Sequence, residues 1–359
     1  MNSASLDLMW TRGFRLDGVD TTGPTGFPKP LRYVPYTELD GRPNVVVDGS
    51  PTEGTVLTLT HWPGHPQSEG LGADLSAQMA LAYAASGRHL HGAAEAVSNN
   101  HFDQDGLVGV FALAAPEAAL PRRRLLEDLA GAWDFATFTD RRAARISMAV
   151  AAWADPARSP LSLSGDPAER CAQLYRELMG RLGELCDHTE RFSGQWEEED
   201  ASLAASEELV VSGVVGISEF PTEDLAVVDV PVGLEPAGGH RFAHDWVSGV
   251  HPMAVHNATR RGALLIRQGD SYAFRYRYET WVQYHSRPVR ARRDLAPLAE
   301  ELTSLEPDAV AWSYEGSASL SPRLHPGGPS GIAPDRLVER VRSFLLTAPP
   351  DWDPFHRVG

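Results

Sequence analysis

The chain has 359 residues, 42% apolar and 22% charged, enough to fill more than one ordinary core, which points to two domains. Its formal net charge of −16 speaks against generic duplex-DNA and anionic-membrane binding, because phosphate contacts need clustered cations. Lys29 is the single lysine, so there is no Walker-type Gly-Lys-Ser/Thr loop, a Schiff-base lysine is not expected, and cationic work falls to arginine.

There is no run of eighteen apolar residues, and residues 1–10 lack the basic start and apolar stretch of a signal peptide, so a cytoplasmic location is the default expectation. Residues 1–50 are rich in Gly and Pro, with one β-branched run at Val45-Val46-Val47. Residues 54–60 (GTVLTLT) read as a buried strand, followed by a polar loop from His61 and a helix capped by Asp74. Residues 93–98 read as a second strand, followed by a loop from His101 and a helix over 107–115. Strand, loop and helix twice over is the pattern of parallel βαβ packing.

The sequence then predicts helices over 121–131, 140–154 and 166–192, the last opened by Asp166-Pro167. Cys171 and Cys186 fall in that helix, about 22 Å apart at the helical rise, so they are expected to be free thiols. The run Glu197-Glu198-Glu199-Asp200 opens a further helix, where negative charge suits the N-terminal dipole. After residue 210 strands dominate: 210–219, 224–230, 262–268, 272–285 and 309–315, with helices at 294–305 and 335–346. The predicted fold class is α/β: a parallel N-terminal domain over 1–195, a helical linker over 196–209, and an antiparallel α+β domain over 210–359.

The residues with most chemistry are His101-Phe102-Asp103-Gln104-Asp105-Gly106. They sit between a strand and a helix, at the carboxyl edge of a parallel sheet, where ligands bind. One imidazole and two carboxylates within a turn of loop suit a divalent metal: Mn²⁺ foremost, with Mg²⁺ or Zn²⁺ as alternatives. The same carboxylates could instead cap the following helix. An EF-hand is excluded, because the Gly and the closing Glu are not where that loop needs them. His61, in Thr60-His61-Trp62-Pro63-Gly64-His65, follows its strand as His101 follows the next. Neighbouring strands would gather His61, His65, His101, Asp103 and Asp105 in one crevice, with the two strand ends roughly 5–10 Å apart. His61 and Asp105 are then the catalytic candidates. In 272–285, strand alternation puts Arg275, Arg277, Glu279, Trp281, Gln283 and His285 on one face. Arg275 and Arg277 could orient an anion and Trp281 could stack on it, with His65 helping to hold the substrate.

The stretch His101–Gly106 resembles motif I of the DHH phosphoesterase superfamily, roughly His-x-Asp-x-Asp-Gly after a first parallel strand. The resemblance covers about fifteen residues closely and the domain order loosely. It implies a Mn²⁺- or Mg²⁺-dependent hydrolase of phosphoester or phosphoanhydride bonds, with His101, Asp103 and Asp105 as metal ligands. The Asp-His-His triplet of that family is absent; the nearest stretch is Asp187-His188-Thr189, inside a helical pattern. Asp134 is the candidate for a further isolated ligand, and Gly238-Gly239-His240 partly matches the family's Gly-rich His motif. The expected function is thus a metal-dependent hydrolase of a small anionic substrate, with a homodimer left open. The alternative is a ligand-binding or regulatory protein that keeps the fold without catalysis.

Overall fold

A computed structural model describes residues 29–234 and 249–355; the stretch Gly238-Gly239-His240 lies outside the described residues. Four strands form a parallel sheet: β1 (Arg32–Tyr33), β2 (Asn44–Val47), β3 (Thr55–Leu59) and β4 (Ala96–Ser98). Their order is β1-β4-β2-β3. Every residue of β2 and β4 is buried, as strands covered on both faces must be. The two predicted strands were therefore found, but they are not neighbours: β2, the Val45–Val47 run, lies between them.

Two helices follow the strands, α1 (Ser76–Ala85) and α2 (Gln104–Ala114), and they pack on each other. Helix α1 starts after Leu75 rather than at an Asp74 cap. Helix α2 starts inside the His101–Gly106 stretch, three residues before the predicted Leu107, because Asp103 caps it by accepting from the Gly106 N–H. Gly109 lets α2 lie directly on the sheet: a Cβ there would come within 2.3 Å of Val47 Cγ1.

Helices α3 (Pro116–Ala119), α4 (Arg123–Asp134), α5 (Arg141–Ala154), α6 (Pro167–Asp187) and α7 (Ser193–Val211) follow. Asp166 and Glu169 form a reciprocal capping box that starts α6, with Pro167 in its first turn. Cys171 and Cys186 both lie on α6 as free thiols. Residues 196–209 are the interior of α7, which is tied to α5 by Arg141 and Arg145 at Asp200.

The second sheet contains β5 (Gly216–Phe220), β6 (Leu225–Val230), β7 (Ala263–Gln268), β8 (Ser271–Tyr276), β9 (Trp312–Tyr314) and β10 (Arg323–Pro326), in the order β5-β6-β7-β8-β10-β9. Helix α8 (Pro252–Ala258) precedes β7; α9 (Ala296–Leu305) and α10 (Pro334–Thr347) complete the fold. The class is α/β, with one correction: the second sheet is mixed, because β6 and β7 run parallel while its other pairs are antiparallel. The strand predicted over 210–219 begins only at Gly216, since α7 runs to Val211, and the strand predicted over 272–285 ends at Tyr276. One core joins residues of both halves, from Val47 and Leu107 to Leu264, Tyr278 and Val282. A second core lies between the second sheet and α9 and α10. No helix among the described residues is long and apolar enough to cross a membrane.

The contact of Gly109 with Val47 gives a test of this packing. Gly109→Ala should destabilise the protein by about 1–3 kcal/mol, as overpacking of a dense core does. Urea unfolding should show a lower midpoint with an unchanged slope.

Candidate metal centre

Three parallel strands end at one place. Asp48 follows β2, His61 follows β3 and His101 follows β4. Asp103 and Asp105 come from the start of α2, and Asp134 is the last residue of α4. Asp48 takes the left-handed backbone conformation (φ 50°), which Asp tolerates better than most residues. That turn leaves its carboxylate, 1% exposed, between two imidazoles.

On one side, Asp48 Oδ1 lies 3.5 Å from His61 Nε2. Asp134 Oδ2 is 3.6 Å and Asp105 Oδ2 3.9 Å from the same nitrogen. His61 Nδ1 lies 2.6 Å from the Asp74 carbonyl oxygen, which can only accept, so the ring proton sits on Nδ1. Nε2 is then the ring atom that faces the carboxylates, the orientation and second contact typical of a metal-binding imidazole. The Tyr278 hydroxyl reaches the same nitrogen at 3.4 Å. Ser76 Oγ donates to Asp48 Oδ1 at 2.9 Å. Asp105 accepts from the backbone N–H groups of Ser76 and Ala77, at 2.9 and 2.8 Å, and so fixes the first turn of α1 across the sheet.

On the other side, His101 Nε2 lies 3.3 Å from Asp48 Oδ2 and 3.2 Å from Asp103 Oδ2. The other Asp103 oxygen caps α2. The cap thus uses one oxygen of Asp103 and leaves the other facing His101. In each of two triads, Asp48–His61–Asp105 and Asp48–His101–Asp103, the donor atoms all lie within 4.8 Å of one another. Oxygen and imidazole donors without thiolate suit Mn²⁺, Mg²⁺ or Zn²⁺.

The electrostatics are those of crowded acids. Burial alone would raise the Asp48 carboxyl, but His101, and then His61 and Ser76, hold it well below the usual carboxylate range. Burial alone would lower His101, but Asp103 and Asp48 outweigh it and raise the imidazole to about 11. Burial, then Asp48, Asp134 and Asp103, push Asp105 upward, against the pull of the Ala77 N–H. A proton shared toward two carboxylates, as on His101 Nε2, occupies the position where a cation would satisfy both.

His61, His101, Asp103, Asp105 and Asp134, all named from the sequence, are brought together. His65 belongs to neither triad: it is half-buried, its backbone carbonyl accepts from Gln283 Nε2, and burial lowers its imidazole. Arg275 and Arg277 are not on a solvated face. Arg275 is 4% exposed in β8. Arg277 donates to the Thr259, His256 and Phe135 carbonyls and pairs with Glu279, bracing the two halves of the chain. Arg277 also lines a cavity of about 660 Å³ with Arg124, Arg260 and Arg287. Phe135 and Leu75 are shared walls of that cavity, which does not include the acidic cluster. Trp281 does approach the cluster: it meets Trp62 edge-on at 5.9 Å, and Trp62 lies 5.5 Å from the His101 ring.

Asp48 was missed by the sequence reading. Its signal was present, as Val-Val-Val followed by Asp-Gly repeats the pattern of an apolar strand with a polar turn that singled out His101. No curated protein and no solved structure matches the chain. Residues 29–356 match the family of unknown function DUF6687, and the chain belongs to that family.

Proposed function

We propose that the protein is a divalent-metal-dependent hydrolase of a phosphoester or another small anionic substrate, with two cation positions that share Asp48. The observation that carries this reading is the two donor triads meeting at the opposed oxygens of one buried carboxylate. The His-x-Asp-x-Asp-Gly stretch, similar to motif I of DHH phosphoesterases, supports it from the sequence. Asp48, His61, Asp105 and Asp134 would hold one cation, and Asp48, His101 and Asp103 the other. A pair of such cations supplies Lewis acidity and lowers the pKa of a coordinated water, the chemistry of many phosphoester hydrolases.

The chain's own groups do the positioning. The Asp74 carbonyl accepts from His61 Nδ1 and so fixes the ring with Nε2 turned toward the carboxylates. The Gln283 N–H donates to the His61 carbonyl, and Tyr278 packs on its ring, so the second half of the chain seals the first triad from water. His101 and Asp103 retain some exposure, 34% and 12% of their side chains, and define the side from which substrate would arrive. The half-buried rings of Trp62 and Trp281 border that side.

Metal analysis tests the donors. Wild-type protein should take up Mn²⁺ and melt at a higher temperature with it, because a ligand present at 100 times its dissociation constant adds about 2.7 kcal/mol. Asp48→Asn should lose that uptake while remaining folded. Asp105→Ala should lose the uptake and also about 3 kcal/mol or more of stability, since it abandons two buried N–H groups at the start of α1. Equal Mn²⁺ content in Asp48→Asn and wild type would refute the shared-carboxylate reading.

The reaction is tested by a screen of phosphodiesters, phosphomonoesters and pyrophosphate with Mn²⁺. Turnover of at least one class is expected, with kcat reduced roughly 10²–10³-fold in Asp48→Asn, in line with loss of a charge-stabilising group. Metal uptake without turnover of any class would leave a binding protein.

A further inference from the structure

The cavity of about 660 Å³ lies between α4 and the 278–287 segment, and none of the cluster's donor residues lines it. It backs onto the sealed triad without reaching it. Asp74 and Phe135 line it, while the Asp74 carbonyl holds His61 and Phe135 follows Asp134 in the chain. Its size falls in the range of small-molecule sites, roughly 300–1,000 Å³. Arg124 and Arg260 on its lining are exposed, so it opens to solvent on their side. Leu75, Phe135, Phe138 and Tyr284 give it apolar and aromatic walls.

The acids on its lining are each engaged by the protein itself. Asp74 Oδ1 accepts from the His285 and Ser286 N–H groups at 2.6 and 2.9 Å. Asp128 accepts from the Thr139 and Asp140 N–H groups. Glu127 pairs with Arg123 at 2.7 Å, and Glu279 with Arg277 at 2.6 Å. Arg277 is occupied by that pair and by the Thr259 and His256 carbonyls. Two arginines of the lining are not used up in this way. Arg124 makes no hydrogen bond or ion pair with any described residue. Arg287 reaches Glu279 only at 3.9 Å and lies 5.2 Å over the Tyr284 ring. A guanidinium laid on an aromatic face keeps its N–H edge free for a planar anion. In a chain with 48 acidic and 32 basic side chains, such arginines around one concave, partly aromatic wall mark a place for negative charge. We infer that this cavity binds a small organic anion, a carboxylate or phosphate carried on a planar apolar body. Arg124 and Arg287 hold its head, and the half-buried Phe138 and Tyr284 rings pack on its body. The site is separate from the acidic cluster and does not depend on the hydrolase reading.

Calorimetric titrations of the full-length protein in EDTA test this, with no divalent cation at the acidic cluster. The probes are phenyl phosphate and benzoate, each an anionic head on a planar apolar body, and inorganic phosphate, which lacks the body. Wild type should bind phenyl phosphate or benzoate with a dissociation constant of roughly 1 mM or below, and inorganic phosphate more weakly. The tighter of the two organic probes tells a phosphate head from a carboxylate. Arg124→Gln and Arg287→Gln should each weaken that probe roughly tenfold or more, as expected for the loss of a charge-assisted hydrogen bond. Arg124→Gln should melt with wild type, because an exposed side chain without a partner contributes little to stability. Asp48→Asn should bind the probe as wild type does. No binding of either organic probe by wild type up to about 10 mM overturns the site. So does unchanged affinity in both arginine variants, or loss of binding in Asp48→Asn with both arginine variants unaffected, which would place the anion at the cluster. Inorganic phosphate bound as tightly as the organic probes overturns the organic class.

Discussion

The two oxygens of the Asp48 carboxylate face different imidazole nitrogens, at 3.5 and 3.3 Å, in a pocket almost closed to water. In such surroundings like charges repel strongly, and water cannot screen them. Asp48, Asp103, Asp105 and Asp134 nevertheless converge there with two histidines. The arrangement is coherent only if positive charge sits among them, as protons on imidazole or as cations. The parallel sheet makes the convergence unavoidable: β2, central between β4 and β3, delivers Asp48 between the two histidines that its neighbours deliver.

The acids are also structural. Asp105 holds the first turn of α1 and Asp103 caps α2, so the helices that cover the sheet begin at the cluster. At Asp105 the two N–H groups work against burial and the neighbouring acids, which together raise its carboxyl. The helix starts and the cluster share these side chains, so a loss on one side is felt on the other. One side chain offers one oxygen to the helix cap and the other to His101, so the capping and ion-binding readings of the sequence do not exclude each other.

Local pattern made much of this legible. The alternation of His, Asp and Asp before Gly106 marked the second triad, and the two strand-to-loop junctions marked His61 and His101. Asp166-Pro167 marked the start of α6 because capping is a local interaction. The order of the strands was not legible, because it depends on which apolar faces meet across the fold. Asp48 had the same local signal, an apolar run before Asp-Gly, but nothing near it in sequence states that β2 lies between β3 and β4 and so brings it to the two histidines. Arg277 was misplaced for a related reason. Alternation assigned it to a strand face where it could orient an anion, but the strand ends at Tyr276, and the chain turns inward so that the guanidinium meets carbonyls from Phe135, His256 and Thr259. Partners 18, 21 and 142 residues away leave no periodic trace.

The two triads are unequal, and the inequality follows from what covers them. His61 and Asp105 are closed off completely, by Tyr278 and the 278–286 segment from the second half of the chain and by the start of α1. His101 is one-third exposed. In the proposed reading, a cation among His61, Asp105 and Asp134 exchanges slowly, with its ligands fixed by the fold, whereas one beside His101 keeps a face for substrate. Asp48 belongs to both, so the sealed position sets the geometry of the open one. On that reading the second half of the chain would take part without contributing a carboxylate: by packing Tyr278 on the His61 ring and donating the Gln283 N–H to the His61 carbonyl, it keeps one side of Asp48 dry and leaves the other open.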